Sequence, residues 1–475
     1  MSKSKLRIGL MAVSGLAVSL PLFASAGTAY ADYAPSSTDV VGVGSDALQY
    51  PIDFMADGDA YGFTGYNALG NKNKLVSFDG TADANGRGAY SVDGANGSTI
   101  GGVGGYCSPG TGSKAGSANG APYTGGTPCV LNPTVVLRAG TEPVQRPTSS
   151  GGGFTAIEDD ITAGTDNINF NRASSPLGSS KATTYKLDSV EIATDQQLIL
   201  EASSGSNAVP LSAAELDNIY NATTTTTNAY GGAGCVKWNE LPGNSGGSSD
   251  YIEPLIPPAA TSGVAKFFLQ QIQGLSSTAT PANPGNCAIT VEQNDPTAIA
   301  DQAGLIEPMG ETGTASDAIV PFSQSRLDLY QGITAGGTNE GFGYFLDPSC
   351  PYETTAASCS SGGFVNSVNP GVQLIKTGTP GDGGVVYNKT QPLYIYFRDS
   401  DLSSTTTFQP GTSLNWVHAL FYNPCGIGES GCTTVGGVTY GPGGAPYIDG
   451  AGATGLSDSG VTPVNTQSTF TQYGP

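Results

Sequence analysis

Along this chain, runs of β-branched residues alternate with segments whose apolar positions recur at helical spacing. Asp39-Val-Val-Gly-Val-Gly-Ser-Asp46 reads as a short strand entering a turn, and Leu48, Ile52 and Met55 then follow at helical spacing. Pro133-Thr-Val-Val-Leu-Arg138 predicts a second strand, and a helix is expected from about Gly152 to Asp160. Ile168-Asn-Phe170, Tyr185 to Ile192, and Gln197 to Glu201 read as three further strands. Leu211 to Tyr220 reads as a helix with Leu211, Leu216, Ile219 and Tyr220 inward, and Thr261 to Ile272 as a capped amphipathic helix. Ile252 to Ile256 is a strand stopped by Pro257-Pro258, and Ala318 to Phe322 has the apolar run of a buried strand. Pro392-Leu-Tyr-Ile-Tyr-Phe397 alternates large residues with period two, the clearest strand signal in the chain. Trp416 to Phe421 fits a short helix or a strand, and 436–475 is rich in Gly, Pro and Thr. Strands alternating with helices predict an α/β fold.

The first residues fall outside this pattern. Lys3, Lys5 and Arg7 precede an apolar run from Ile8 to about Leu22, and Ala29-Tyr30-Ala31 supplies a small-residue cleavage pattern. This predicts a secretory signal peptide over 1–31, too short in its apolar part to span a bilayer. No Cys follows the cleavage pattern for lipid attachment, and no second spanning run is read. The expected location is secreted, or periplasmic or at the cell surface. The 444 residues left of the 475 suit two lobes of ordinary domain size.

Charge narrows the partners. The chain has 18 Lys and Arg against 39 Asp and Glu; losing three cations with the leader leaves 15 against 39, a net charge of −24. Such a surface repels nucleic acid and anionic lipid. Charged residues make up only 12%, and 69 Gly with 31 Pro imply many turns on a β-rich or α/β scaffold. Eight cysteines in an exported chain read as disulfides. The sequential pairing is expected, Cys107–Cys129, Cys235–Cys287, Cys350–Cys359 and Cys425–Cys432, because each pair closes a local Gly/Ser/Pro-rich loop. With no CxxC and His418 the single histidine, neither a zinc site nor a His-based triad is expected. No cofactor, no metal and no enzymatic activity are expected.

Three segments share one design, a Ser/Gly turn leading into a helix start: Val43-Gly-Ser-Asp46, Thr148-Ser-Ser-Gly-Gly152 and Ala260-Thr-Ser-Gly263. Unpaired helix N–H groups, the positive helix end and Ser hydroxyls all favour an oxyanion there. Ser and Thr are equally the common helix caps, so each turn alone is open to both readings. Arg146 and Arg172 lie beside these turns, and guanidinium suits bidentate oxyanion binding. An ion pair of Arg146 with Glu142 or Glu158 is the alternative. Lys266 is expected to face solvent, and Asp159-Asp160 to lie on a solvated helix face. Glu292 to Asp295 reads as a turn. Trp238 and Tyr330 are open to sugar stacking or core packing.

In this order the segments resemble the phosphate-binding protein of ABC phosphate transport, in the type II periplasmic binding protein superfamily, as a divergent secreted member. The resemblance runs over roughly 39–330. It rests on Leu211 to Tyr220, Lys237-Trp238-Asn239 and Ser262-Gly263, extended by Asp39 to Asp46, Ser149 to Gly153, Ile168 to Phe170 with Ser174-Ser-Pro-Leu177, and Asp317 to Phe322. It implies a two-lobed α/β fold with mixed sheets, an interlobe ligand cleft and disulfide-stapled loop insertions. Lobe I would take 32–184, lobe II 185–338, and 339–475 would return to lobe I and add a β- and loop-rich extension. It implies a small oxyanion, phosphate first, taken up with an ABC permease. Ser45, Asp46 and Ala47 would line the first loop, Ser149, Ser150 and Gly151 the second, and Ser262 and Gly263 the third. Two departures stand out. Ser174 lies where the family places an aspartate, and Pro258 to Val264 lacks the Arg and Asp of the family's third loop; Arg172 would replace the cation. These departures, with the stapled loops, support an alternative: a secreted surface or matrix protein that reuses the fold with an altered or lost site.

Overall fold

The computed structural model describes residues 35–59, 62–78, 134–135, 137–138, 144–145, 147, 149–202, 209–258, 260–291, 309, 317–330 and 372–473. The expected leader, Arg146, Glu292 to Asp295 and cysteines 107, 129, 350 and 359 lie outside them. The strands are β1 (Val40–Gly44), β2 (Leu75–Ser77), β3 (Thr134–Val135), β4 (Val144–Gln145), β5 (Phe170–Ala173), β6 (Leu187–Ala202), β7 (Glu253–Ile256), β8 (Ile289–Thr290), β9 (Ala318–Ser323), β10 (Val372–Leu374), β11 (Lys389–Arg398), β12 (Thr433–Val435), β13 (Val438–Tyr440), β14 (Thr462–Pro463) and β15 (Phe470–Thr471). The helices are α1 (Gln49–Asp57), α2 (Ser150–Ala163), α3 (Ser179–Tyr185), α4 (Ala213–Tyr220), α5 (Gly263–Ile272), α6 (Gln324–Tyr330), α7 (Asp399–Leu402), α8 (Trp416–Leu420) and α9 (Gly452–Asp458).

One mixed sheet runs β2-β1-β5-β11-β6-β9-β7-β8, with β10, β14 and β15 also on β6. Its two wings are parallel: β1 pairs with β2 and β5, and β7 with β8 and β9. The long strands β6 and β11 pair antiparallel between the wings from Lys389↔Gln197 to Arg398↔Leu187, with one irregularity at Leu393/Tyr394. The α/β class is as the alternating pattern predicts, and the mixed sheet is as the resemblance implies.

Each wing carries its own core. On the first, period two in β11 sends Leu393, Ile395 and Phe397 to one face, with Leu48, Ile52, Met55, Phe170, Trp416 and Phe421. Tyr396 goes to the other face with Val41, Val43, Phe154 and Ile157. Gly42 makes this packing possible, because a Cβ there would lie 2.0 Å from the Phe170 ring. On the second wing, Leu216, Ile219, Tyr220, Trp238, Phe268 and Tyr387 form one cluster, and Leu200, Leu255, Val320, Phe322 and Leu327 the other. Each fully buried aromatic or aliphatic side chain contributes about 1.5–3 kcal/mol. Cys235–Cys287 is formed and lies in the second wing's core, and Cys425–Cys432 is formed beside the β12–β13 hairpin.

Several expectations need correction, and those left open for Trp416 to Phe421 and for Trp238 are decided. The strands expected at 185–192 and 197–201 are one strand, β6, of 16 residues. The polar residues between the two expected strands, Thr194-Asp195-Gln196, are accommodated because buried Asp195 accepts from the Ser325 backbone N–H (3.2 Å), the Ser325 hydroxyl (2.9 Å) and the Ser323 hydroxyl. The strand expected at 168–170 runs instead over β5, which places Arg172 inside the sheet. Trp416 to Leu420 is a helix, capped by the Asn415 side chain. Asp160 is buried and ion-paired with Arg398, not solvated. Lys266 is half-buried, and that burial, with Lys181 nearby, lowers its pKa. Trp238 is a core residue, 1% exposed. The Gly-rich tail contains α9, which packs on α1.

Candidate functional site

The C-terminal end of β1 and the N-termini of α2 and α5 meet where the two wings adjoin. Gly153 permits the approach of α2: a Cβ there would lie 1.9 Å from Asn171 Oδ1 and 2.5 Å from Gly44 Cα. Gly44 itself has φ 118°, a conformation suited to glycine.

At this junction the structure brings together hydroxyls from three segments. Ser45 Oγ donates to Ser174 Oγ at 3.3 Å, and Ser150 Oγ lies 3.1 Å from Ser174 Oγ. Ser174 N–H donates to Ser150 Oγ at 2.9 Å. All three serines are buried. Gly263 completes the group from the second wing. A Cβ on it would stand 2.5 Å from both Ser150 Oγ and Ser174 Oγ, so only glycine allows this contact. Beside it, Gly151 N–H donates to Thr261 O across the wings at 2.9 Å.

The other sequence-selected residues have different surroundings. Ser149 and Ser262 cap their helices, accepting from Gly152 N–H at 3.0 Å and Ala265 N–H at 3.1 Å. Asp46 and Ala47 are buried in the single turn that follows Ser45. Arg172 is fully buried; it donates to Phe78 O at 2.8 Å, to Gly44 O at 3.3 Å and to the Ser77 hydroxyl. These bonds tie β5 to the ends of β1 and β2. Glu158, considered as a partner for Arg146, accepts from the Tyr185 hydroxyl.

Two residues at the junction were not selected from the sequence. Gln391 of β11 donates from Nε2 to Ser174 O at 2.8 Å and to Gly263 O at 3.4 Å, touching both wings. Arg326 of α6 is 3% exposed, donates to Asp46 O at 3.5 Å, and lies with its guanidinium carbon 4.1 Å from the Tyr50 ring centroid. The only available hint was compositional, an arginine in a cation-poor chain just after a buried strand. Gln197, beside this crossing, donates to Val264 O at 3.0 Å and accepts from Tyr387 OH at 2.6 Å.

The chemistry on offer is therefore hydroxyls and helix N–H groups. Hydroxyls donate and accept, so they can serve an oxyanion in either protonation state. The N-terminal ends of α2 and α5 add positive partial charge. Among the described residues, the group of metal-type side chains close enough to share an ion is Cys425, Glu429 and Cys432, and both cysteines are committed to a disulfide. No described helix is long and apolar enough to cross a membrane.

No protein-family model matches the chain, and no curated protein does. Solved structures with some similarity include an ABC-type phosphate transport receptor from Vibrio cholerae, at 12% identity and TM-score 0.34, covering 76% of this chain and 88% of that one. A putative phosphate ABC transporter substrate-binding protein with bound phosphate from Clostridium perfringens has 13% identity and TM-score 0.33, covering 76% and 87%. A phosphate-binding protein from Stenotrophomonas maltophilia has 14% identity and TM-score 0.32, covering 67% and 83%. At these values the likeness decides nothing about the ligand, and the chemistry of the junction rests on its own geometry.

Proposed function

We propose that this chain is an exported solute-binding protein whose ligand is a small oxyanion, phosphate before others, held where the wings meet and delivered to an ABC-type permease. The observation that carries the reading is the convergence of Ser45, Ser150 and Ser174 hydroxyls with Gly263 at two helix N-termini. An anion entering here would exchange serine–serine hydrogen bonds for bonds to its own oxygens. Its charge would be met by dipoles rather than by a side chain at the third turn. The reading is of a binder and not an enzyme, and what supports it is the set of hydroxyl and backbone groups that meet at the junction.

A second reading has its own observation. The N–H of Gly151 is already satisfied by Thr261 O, and the serines satisfy one another. That arrangement suits a secreted surface or matrix protein that keeps the fold without a ligand.

Calorimetry of the purified chain against phosphate and sulfate separates the two. The solute-binding reading expects a saturable heat with phosphate that weakens by about tenfold in Ser150→Ala or Ser174→Ala, the loss of one good hydrogen bond to a charged group. No heat at millimolar phosphate sinks it. Because the protein is strongly anionic, added salt should not weaken the association, and screening should speed it.

A further inference from the structure

The wings are joined by contacts that the serine cluster does not require. Tyr50, on α1 of the first wing, packs against the second wing's cluster of Leu200, Leu255, Val320, Phe322 and Leu327. Arg326, from the second wing, lies over the Tyr50 ring and also reaches Asp46 O. The arginine is fixed at its base, because its own N–H donates to Ser323 Oγ at 3.0 Å and Ser323 is held by buried Asp195. At the junction, Thr261 O occupies the Gly151 N–H, and Gln391 binds a carbonyl of each wing. Every one of these groups belongs to the chain itself.

We propose that they form a built-in latch. The Arg326–Tyr50 clasp holds the wings together without a ligand, and the Thr261 carbonyl acts as a tethered competitor for the start of α2. An incoming anion must displace that carbonyl, so its apparent affinity is reduced by the fraction of molecules that are latched. The clasp stands on the contacts alone; only the competitor role rests on the solute-binding reading. Gly151 and Gly263 set the fit of the latch. A Cβ on Gly151 would lie 2.9 Å from Thr261 O, and one on Gly263 would meet two hydroxyls at 2.5 Å.

Hydrogen exchange read by mass spectrometry on the purified chain in phosphate-free buffer tests the latch. The variants are Tyr50→Leu, which keeps apolar bulk and loses the ring face, together with Arg326→Lys and Arg326→Ala. Peptides over 149–153 and 261–265 should exchange about tenfold faster in Tyr50→Leu and Arg326→Ala, with a smaller change in Arg326→Lys, while peptides from α4 keep their rate. Unchanged exchange at 149–153 in variants with wild-type circular dichroism overturns the latch. If Arg326→Ala does not fold, Tyr50→Leu decides. Phosphate titration of the same proteins keeps the two proposals apart. Faster exchange with no phosphate heat in any variant leaves the clasp standing and removes the solute-binding reading together with the competitor role. Faster exchange with about tenfold tighter phosphate supports both. Phosphate binding at an unchanged Kd alongside unchanged exchange leaves the binder and removes the latch.

Discussion

The junction is built from residues whose roles differ more than their types do. Ser149 and Ser262 cap helices, while Ser45, Ser150 and Ser174 bond across segments. The turns were legible in the sequence because Ser-Gly before an amphipathic run has a local cause. Which serine caps and which reaches out depends on packing between segments 24 to 129 residues apart, which no local pattern encodes. Arg326 and Gln391 are further still from their partners Asp46 and Ser174, at 280 and 217 residues, and so were missed. Arg172 was selected for its charge, yet its described bonds brace strands. Arg172→Ala should therefore cost about 1–3 kcal/mol in urea unfolding, because the Gly44 and Phe78 carbonyls lose a buried donor. An unchanged midpoint would argue against the brace. Gly153→Ala is expected to be at least as damaging, since the new methyl meets the Gly44 backbone at 2.5 Å and overpacking of this kind costs about 1–3 kcal/mol.

Elements with a local signature emerged close to their expected bounds. For α4, Ser212 Oγ accepts from Glu215 N–H at 3.1 Å and Glu215 Oε2 accepts from Ser212 N–H at 2.9 Å, a complete capping box. Ser212→Ala should lower stability by about 1 kcal/mol, measured by denaturant titration. The strand β6 was misread because polar residues within a strand look like a turn until their tertiary partners are known; Ser323 and Ser325, which hold Asp195, lie on the far side of the chain's order. The disulfides give a graded prediction. Cys235–Cys287 spans 52 residues and Cys425–Cys432 spans 7. Loop-closure entropy then gives about 4 kcal/mol for the first and about 2.5 kcal/mol for the second. Replacing each pair by alanine should produce losses in that order, and equal losses would show that native-state contacts set the contribution.

At the scale of the whole molecule, the excess of 39 acidic over 18 basic residues is joined by carboxyl groups in or near the cores. Asp188 on β6 is pushed up to about 6 by burial, with the Tyr473 N–H partly opposing. Asp401 is pushed up to about 7, again by burial, with Arg398 opposing. Glu201, also on β6, is raised well above the usual carboxylate range by burial, and its Oε1 has no hydrogen-bond partner among the described residues. A carboxyl with a raised folded pKa keeps its proton in the folded chain at pH values where the unfolded chain has lost it. Its contribution is complete below the unfolded value, about 4, and is lost as pH rises through the folded value. For Asp188 and Asp401 the window is therefore about pH 4 to 7. General repulsion among surface anions acts in the same direction. The melting temperature should fall between pH 5 and pH 8, the reverse of a protein stabilised by ionised buried carboxylates. Glu201→Gln should raise the melting temperature at pH 8, by about 1 °C for each kcal/mol gained in a chain of this size, and have less effect at pH 5. Scanning calorimetry of wild type and variant at the two pH values decides the matter. A melting temperature that rises from pH 5 to pH 8 would show that these carboxyls gain charged partners on folding that outweigh their burial.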